Sequence, residues 1–237
     1  MMKRYLIFFV LVFSIYACKD ECISGSGPRK LNIRTLQPAS YVDVSISGNV
    51  FVEIDTSLNE TQIQIEGEEN ILEIIETSVN NNILHVSYSS CLQNHKEVSM
   101  TVRTPSLTGV TIDQVGKITS KDIIDVEDFQ VVINGSGDCD LTMRVDQLTT
   151  LINGSGQVIY RGECNSHNLT INQSGDIEGF EMPSRTLDAD ISASGNALVR
   201  VSQTINANIT GSGDIRYKGS PSINRTGDGS GEIIDDN

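Results

Sequence analysis

The chain has 237 residues, of which 38% are hydrophobic, which is enough for a folded core and excludes a wholly disordered protein. Seventeen Lys and Arg residues stand against 31 Asp and Glu, giving a net charge of −14, and only three His are present. The acidic balance excludes nucleic acid as an expected partner, because phosphate binding needs a basic surface, and the scarcity of His disfavours His-based catalysis and zinc chemistry.

The first 17 residues have the pattern of a signal peptide. Two cationic residues precede an uncharged stretch that ends at Ala17 and is too short to span a bilayer, which takes about 20 apolar residues. The small residue directly before Cys18 resembles a bacterial lipobox. We therefore predict that residues 1–17 are removed and that Cys18 is lipidated and anchors the protein to a membrane. A plain secretory signal followed by an unrelated cysteine is the alternative.

Residues 18–30 are predicted to form a lipidated, flexible tether. The tether begins with Lys19-Asp20-Glu21, which resembles the surface-export signal of Bacteroidetes lipoproteins, and residues 22–30 are rich in Gly, Ser and Pro. The expected location is the outer membrane, with the protein displayed on the cell surface. Removal of the signal peptide takes away two positive charges and leaves a mature net charge of −16.

Residues 31–106 show alternating apolar positions in an irregular form. Residues 42–52 place Val on alternate positions on both sides of Gly48, and residues 68–79 are interpreted as coil plus strand although their Ile spacing is also compatible with a helix. Further alternating stretches that predict strands occupy 61–65, 83–88 and 98–102. We predict irregular β-helix coils for this region.

Residues 107–237 repeat one short motif. Each copy reads apolar-x-Ile-x-x-Ser-Gly-polar-apolar-x-apolar, so apolar residues alternate on both sides of a glycine. This alternation predicts two strands that meet at a tight corner, where glycine would supply a positive φ. The marker glycines, 18 to 21 residues apart, are Gly116, Gly137, Gly156, Gly175, Gly195, Gly213 and Gly231.

The repeat length predicts the fold class. A strand pair of this size cannot bury its apolar face alone, so neighbouring copies must stack, with equivalent corners about 4.8 Å apart. Propeller blades are longer, at about 40 residues, and an antiparallel sandwich gives no reason for identical turns. We predict an all-β, single-chain parallel β-helix (a solenoid). Its last copy has Arg225 and Gly227 at apolar positions, as expected of a C-terminal cap.

These motifs resemble a known family. The Ile-Asn-Gly-Ser-Gly-Asp copies, preceded by residues 65–72 (Ile-Glu-Gly-Glu-Glu-Asn-Ile-Leu) and 79–84 (Val-Asn-Asn-Asn-Ile-Leu), resemble the head GIN domain of putative auto-transporter adhesins, which is common among Bacteroidetes lipoproteins. The resemblance covers about residues 31–231. It implies a pectin-lyase-like β-helix without the catalytic residues of those enzymes and a role in adhesion, and it assigns no functional residues.

One polar residue follows each corner glycine from Gly137 onward, and together these residues form a polar row. From copy to copy the residue alternates between an acid and an amide, except that the last two copies both have an acid. As a functional site the row would bind calcium through Asp138, Asp176 and Asp214, but calcium needs six to eight oxygen ligands. As a scaffold, the alternation separates like charges from about 5 Å to about 10 Å. We predict the scaffold, with no metal and no cofactor, and keep the three aspartates as the alternative metal ligands.

The enzymatic alternative is a polysaccharide lyase or hydrolase, which needs paired carboxylates or a metal with a base. We assign no catalytic residues, because the spacing of the outward charges predicts no converging pair. His85, His95 and His167 are predicted to be ordinary surface or turn residues. The outward charged candidates are Glu163, Glu178, Glu181, Arg161, Arg200, Arg216 and Lys218.

Four cysteines besides Cys18 allow three disulfide pairings in an oxidising compartment. Cys139 falls in an inward position and is predicted to be a buried free thiol. Cys164 lies eight residues after its marker glycine, at a different place on the coil, so a bond between the two is doubtful. A bond between Cys22 and Cys91 is compatible with the sequence.

The sequence as a whole predicts a non-catalytic binding or adhesion module for an extended partner, either a glycan or an extracellular protein. Phe180 is a candidate for stacking on sugars, whereas Tyr160 and Tyr217 fit inward core positions. The alternatives are the polysaccharide-degrading enzyme and a purely structural envelope protein.

Overall fold

The computed structural model describes residues 22–237, so the predicted signal peptide and Cys18 lie outside the described residues. Within this part of the chain, no helix is long and apolar enough to cross a membrane. The first elements are β1 (Ile23–Ser24), β2 (Arg29–Leu36), β3 (Tyr41–Ser45), β4 (Gly48–Ile54), β5 (Thr61–Glu68), α1 (Glu69–Leu72), β6 (Ile75–Asn80), β7 (Ile83–Tyr88), β8 (Leu92–Gln93) and β9 (Val98–Thr104). The others are β10 (Gly109–Ile112), β11 (Lys117–Ser120), β12 (Ile124–Ile133), β13 (Asp138–Ile152), β14 (Gln157–Ile171), β15 (Asp176–Ile191), β16 (Ala197–Ile209), β17 (Ile215–Lys218), β18 (Ser222–Thr226) and β19 (Ile233–Asp235).

The C-terminal half is the predicted parallel β-helix. From β12 onward, each strand pairs in parallel with the strand one repeat later, so that Ile133 lies opposite Ile152 and Ile152 opposite Ile171. The four or five residues of each corner bend the chain from one face of the solenoid to the next. The predicted fold class is therefore confirmed, with one coil for each repeat.

Columns of stacked side chains fill the core of the solenoid, and one of them consists of isoleucine alone from Ile112 to Ile209. Because the register advances by one repeat at each coil, equivalent apolar residues stack directly above one another. The column before the corner is fully buried and consists of Ile112, Ile133, Ile152, Ile171, Ile191 and Ile209. Each of these side chains is covered by the coils on either side, so no coil has a complete core by itself.

In the N-terminal half, the order of stacking differs from the order of the chain. β3 and β4 lie between β7/β9 on one side and β10/β11 on the other, with Val42 opposite both Leu84 and Val110. The expected match of residues 42–52 to the repeat is confirmed by this register, and Gly116 packs against the backbone of Gly48. One early segment is thus inserted as a rung between two later ones.

Three strands of the region 31–106 do not form coils, contrary to the expectation. β5 is antiparallel to β9, β2 is antiparallel to β5, and β6 is antiparallel to β7. The physical reason at β6 and β7 is a two-residue hairpin at Asn81 and Asn82, whose φ values of 52° and 64° suit the twist of antiparallel strands. Residues 68–79 are a helical turn followed by a strand, with Ile71 and Leu72 of the turn buried.

The segment 22–30, predicted to be flexible, is instead part of the fold. Cys22 forms a disulfide with Cys91, and β1 pairs in parallel with β8. The side-chain amide of Asn70 donates to the carbonyl of Ser24 (2.8 Å) and accepts from the N–H of Ser26 (2.8 Å). The prediction failed because these contacts join residues about 45 or more positions apart, which composition cannot indicate.

The last coil closes the C-terminal end. Arg225 lies opposite the inward-facing Ala207, and its guanidinium donates to the carbonyls of Gly229 (2.8 Å) and Gly231 (3.0 Å). β18 is exposed along its whole length. The predicted cap therefore replaces an apolar core position with a cation that satisfies backbone carbonyls at the end of the solenoid.

Candidate functional site

The marker glycines form a continuous column along one corner. A methyl group on Gly137 would lie 2.7 Å from the carbonyl oxygen of Gly116, and one on Gly175 would lie 2.7 Å from that of Gly156. None of the seven marker glycines has a positive φ, so the prediction that glycine supplies a positive φ at the corner is wrong. Glycine is needed because each corner packs onto the backbone of the preceding one.

The polar row beside this column connects successive coils. Asp138 accepts a hydrogen bond from the backbone N–H of Gln157 (2.9 Å), and Asp214 accepts one from that of Glu232 (2.7 Å). Asp176 accepts from both the backbone N–H (2.8 Å) and the side-chain amide (3.0 Å) of Asn196. These carboxylates satisfy the corner backbone. Across residues 22–237, no three His, Cys, Asp or Glu side chains are grouped so that they could hold a metal ion.

An asparagine ladder reinforces the same corner. The amide of Asn153 donates to the side-chain oxygen of Asn134 (2.9 Å), and Asn172 donates to Asn153 (2.8 Å). The ladder ends on Asp113, which accepts from Asn134 (2.7 Å). These amide bonds therefore link successive coils at the corner.

A second polar surface lies on the strands before the corner, and we call it the ladder face. The inward-facing residues between its members include the small side chains of Ala189 and Ala207. The face contains a shallow depression of about 400 Å³, and no basic side chain is among the residues described as lining it. The ladder face consists of Asn168, Thr170, Asp188, Asp190, Asn206, Asn208, Asn224 and Thr226.

The hydrogen bonds along the ladder face leave groups free for a partner. Asn206 donates to Asp188 (2.7 Å), Asn224 to Asn206 (2.9 Å) and Asn208 to Asp190 (3.3 Å). Each asparagine side chain has two N–H donors and each carboxylate has two oxygens. One donor or acceptor on each side chain therefore remains after the inter-coil bond, repeated at every coil.

A bulge in β15 places Phe180 on another face. Gly179 lies opposite Val199 and Pro183 opposite Arg200, so β15 has three extra residues at this point. The ammonium of Lys218 lies 4.7 Å from the centre of the Phe180 ring, and Arg200 donates to the Phe180 carbonyl (3.0 Å). The half-buried ring is thus held in place by two cationic side chains.

The outward charges considered for catalysis are only partly brought together. Arg161, Glu178 and Glu181 line one cavity of about 240 Å³ next to Phe180. Arg161 pairs with Glu181 (3.2 Å), and Glu178 accepts from the side-chain amide of Gln157 (2.8 Å). Both carboxylates therefore already have partners.

Arg200 and Lys218 contact Phe180 beside this cavity, whereas the other two candidates are not in its described lining and have ion-pair partners of their own. Glu163 pairs with Arg144 (2.8 Å), and Arg216 pairs with Asp236 (2.6 Å). Exposed pairs of this kind contribute little to stability and are typical of a solvated surface.

Sequence reasoning missed one buried polar cluster. His167 was expected at the surface or in a turn, but it is buried, with Nε2 3.0 Å from the hydroxyl of Thr150. The same hydroxyl lies 2.7 Å from the hydroxyl of Tyr160, whose ring packs edge-on against His167. Burial lowers the pKa of His167 to about 4, so the imidazole is neutral at pH 7.

The other two histidines lie toward the surface. Nδ1 of His85 is 3.0 Å from a carboxylate oxygen of Asp43, and both side chains are partly exposed. His95 is exposed, with Nδ1 2.8 Å from the carbonyl of Lys96. Their contacts are local and do not form a catalytic arrangement with each other.

The four cysteines of residues 22–237 divide into one disulfide and two buried thiols. Cys139 is a buried free thiol, as expected, Cys164 is also free, and Cys22 and Cys91 are bonded. Burial raises the pKa of Cys164 to about 12 and that of Cys139 further. Since the thiolate is the reactive form, neither free cysteine is suited to nucleophilic chemistry.

The chain matches the family described as "Putative auto-transporter adhesin, head GIN domain" over residues 40–221. A putative adhesin from Bacteroides fragilis is 25% identical, with 90% of this chain and 99% of that chain covered and a TM-score of 0.84. A putative lipid binding protein from Parabacteroides distasonis (20% identity, coverage 92% and 100%, TM-score 0.74) and a putative adhesin from Parabacteroides merdae (18%, 91% and 99%, 0.68) share the fold. Comparison with curated proteins gives no match. The chain therefore belongs to the head GIN domain family of putative auto-transporter adhesins.

Proposed function

We propose that the protein is a lipoprotein, anchored through Cys18 and displayed at the outer membrane, that binds an extended partner without catalysis. Membership of an adhesin family supports binding as the role. The Cys22–Cys91 disulfide supports export, because disulfides persist in oxidising compartments outside the cytoplasm.

The ladder face carries the proposal of an extended partner. Its two polar rows cross four successive coils, and the coils repeat at about 4.8 Å. A partner with regularly spaced hydroxyl or amide groups can therefore form the same contacts at each coil, whereas a compact small molecule would use only one or two. A glycan chain and an extended peptide both meet this requirement.

Charge narrows the class of partner. Asp188 and Asp190 are the ionisable groups in the described lining of the ladder face, and the chain carries a net charge of −14. Like charges repel a polyanion at close range. The proposed partner is therefore neutral or cationic, such as an uncharged polysaccharide or a basic extracellular protein.

An array of glycans and extracellular proteins tests this function. Residues 22–237 are expected to bind at least one neutral or cationic partner, and the double variant Asp188→Ala/Asn206→Ala is expected to bind at least tenfold more weakly. Glu163→Gln, which changes an exposed carboxylate outside the ladder face, is the matched control and should bind normally.

Each alternative predicts a different result. New reducing ends or unsaturated sugars in the incubated polysaccharides would establish an enzyme, with the cavity beside Phe180 as the first place to mutate. Absence of binding and of turnover, together with a membrane-integrity defect in cells lacking the protein, would establish a structural envelope role.

The anchor is tested separately by fractionation of cells. The natural protein is expected in the outer-membrane fraction and accessible to protease added to intact cells. Cys18→Ser should abolish incorporation of labelled fatty acid and remove the protein from the outer-membrane fraction without loss of the Cys22–Cys91 disulfide. A variant that still reaches the outer membrane as the natural protein does would contradict the lipid anchor.

A further inference from the structure

We infer that the N-terminal end of the solenoid rests on the lipid bilayer, with Leu31 and Ile33 of β2 in contact with lipid. The inference rests on the proposed lipidation of Cys18. It goes beyond that proposal by assigning an orientation to the molecule and a membrane-contacting surface to the fold.

The first argument is the short distance between the anchor and the fold. Cys22 follows Cys18 by four residues, and an extended chain spans at most about 3.3–3.6 Å per residue, or about 14 Å for four. Cys22 is covalently bonded to Cys91, and β1 directly after it pairs with β8. The fold therefore begins within about 14 Å of the lipidated residue and cannot move away from the membrane surface.

The second argument is that β2 lies at this same end. Asn70 in α1 bonds to the backbone of Ser24 and Ser26, which ties the entering chain to the terminal layer of the solenoid. Lys30 at the start of β2 pairs with Glu69 in the same layer. β2 pairs only with β5 among the described strands, so it is an edge strand at the end that the anchor holds to the membrane.

The third argument is the exposure of two apolar side chains on β2. Leu31 is 60% exposed and Ile33 62%, the two highest values among the large hydrophobic side chains in the described chain. The alternate residue Arg34 points the other way and donates to the carbonyls of Leu72 (3.1 Å) and Ile75 (2.7 Å). That contact fixes the face of the strand, so Leu31 and Ile33 cannot turn inward.

A bilayer suits this surface better than water does. The headgroup boundary accepts apolar side chains on an anchored protein, and the tether keeps the local concentration of lipid high. A second copy of β2 is the competing occupant, because an open strand edge can also pair with its own kind.

Single tryptophan variants of the lipidated full-length protein test the inference, because the natural chain contains no Trp. Leu31→Trp and Ile33→Trp are reconstituted in phosphatidylcholine vesicles with or without brominated acyl chains, which quench Trp on contact. Emission of both variants is expected to fall at least twofold in brominated vesicles. The controls Ile123→Trp and Ile223→Trp replace side chains that are 54% and 40% exposed elsewhere on the solenoid, and their emission should not change.

The possible failures are distinguishable. Mass spectrometry of the mature protein shows whether Cys18 carries lipid. A lipidated, vesicle-bound protein without quenching at positions 31 and 33 overturns the inference and leaves the anchor intact, whereas an unlipidated Cys18 overturns both. A third outcome is a blue shift of the Trp emission of these two variants in the absence of vesicles, together with a doubled mass in sedimentation. That result would show that β2 contacts β2 of a second copy, and it would also overturn the inference. Partner binding at the ladder face is scored separately on the arrays.

Discussion

At the residue scale, the corner glycines are required by the backbone that lies against them. A methyl group on Gly156 would collide with the carbonyl oxygen of Gly137, which belongs to the rigid corner of the adjacent coil. We expect Gly156→Ala to lower the free energy of unfolding by about 2–4 kcal/mol, since the two coils must separate or shift to accept the new atom. Denaturant titration of residues 22–237 measures the change.

Ser155→Ala is the control for this substitution. Ser155 is exposed in the same corner, and its backbone N–H, which donates to the Gly135 carbonyl (3.0 Å), is kept in the variant. Its unfolding free energy should change by less than about 0.5 kcal/mol. Equal losses in the two variants would mean that the corner is sensitive to any change and that glycine stacking is not the reason.

The buried His167 predicts a loss of stability in acid. Its pKa is about 4 in the fold and 6.5 as an ordinary value, so between these two pH values the unfolded chain binds more protons. The contribution is fully present above pH 6.5 and is lost as the pH falls toward 4, amounting to about 3 kcal/mol at 1.36 kcal/mol per pKa unit. His167→Gln should flatten the stability profile in this window relative to the natural protein, as measured by denaturant titrations from pH 7 to pH 4. Parallel profiles for the two proteins would exclude His167 as the titrating group.

The sequence identified the positions of the glycines but not the reason for them. The spacing of the glycines can be read directly along the chain. The contact that requires glycine is made between two adjacent coils, so it becomes visible only when the coils are stacked. His167 was misplaced although the sequence carries a local signal for it, because it alternates with the inward Leu169 and Ile171 on β14. Its partners Thr150 and Tyr160 are 17 and 7 residues away, so the cluster itself is not visible in the sequence around His167.

At the scale of elements, the Cys22–Cys91 disulfide holds β1 and β8 to the terminal layer. It closes a loop with a sequence separation of 69 residues, and the chain-entropy relation gives about 4 kcal/mol for a loop of this size. Cys22→Ser/Cys91→Ser should therefore lower the unfolding free energy by about 2–4 kcal/mol. Reduction of the natural protein should produce the same loss, and a double variant as stable as the natural protein would show that the terminal layer is held by its hydrogen bonds alone.

Parallel stacking could be predicted from the repeat, but the insertion of β3 and β4 could not. Residues 42–52 match the repeat template, so the sequence shows that they form a rung without showing which rungs they join. The hairpin at Asn81 and Asn82 was not predicted, although three consecutive Asn residues stand at the turn between the two strands there. The candidate site was less predictable, because the ladder face depends on register across four coils and its members are 18 to 20 residues apart.

At the scale of the whole molecule, the two ends of the solenoid are closed in different ways. The N-terminal end carries antiparallel strands, a helical turn and the disulfide. The C-terminal end depends on one short coil, in which Arg225 caps backbone carbonyls. Because the strands between the ends are parallel and in register, an uncovered edge could pair with the edge of another molecule.

Removal of the last coil should therefore cause association. A chain that ends at Lys218 lacks β18 and β19, which leaves the edges of β16 and β17 open and uncovers the apolar Ile205 and Ile209. Its weight-average mass in sedimentation is expected to rise with protein concentration more steeply than that of residues 22–237.

Arg225→Ala provides the matched comparison, because it keeps both strands and removes only the guanidinium contacts to the Gly229 and Gly231 carbonyls. It should lower stability by about 1–3 kcal/mol without association, since the strand edges stay covered while two carbonyls lose their partner. If the truncated chain retains its β-structure by circular dichroism and sediments like the full fold, the open edges of β16 and β17 do not attract one another. Protection against end-to-end growth would then come from the acidic charge of the whole solenoid, and association of the truncated chain should appear only when salt screens that charge.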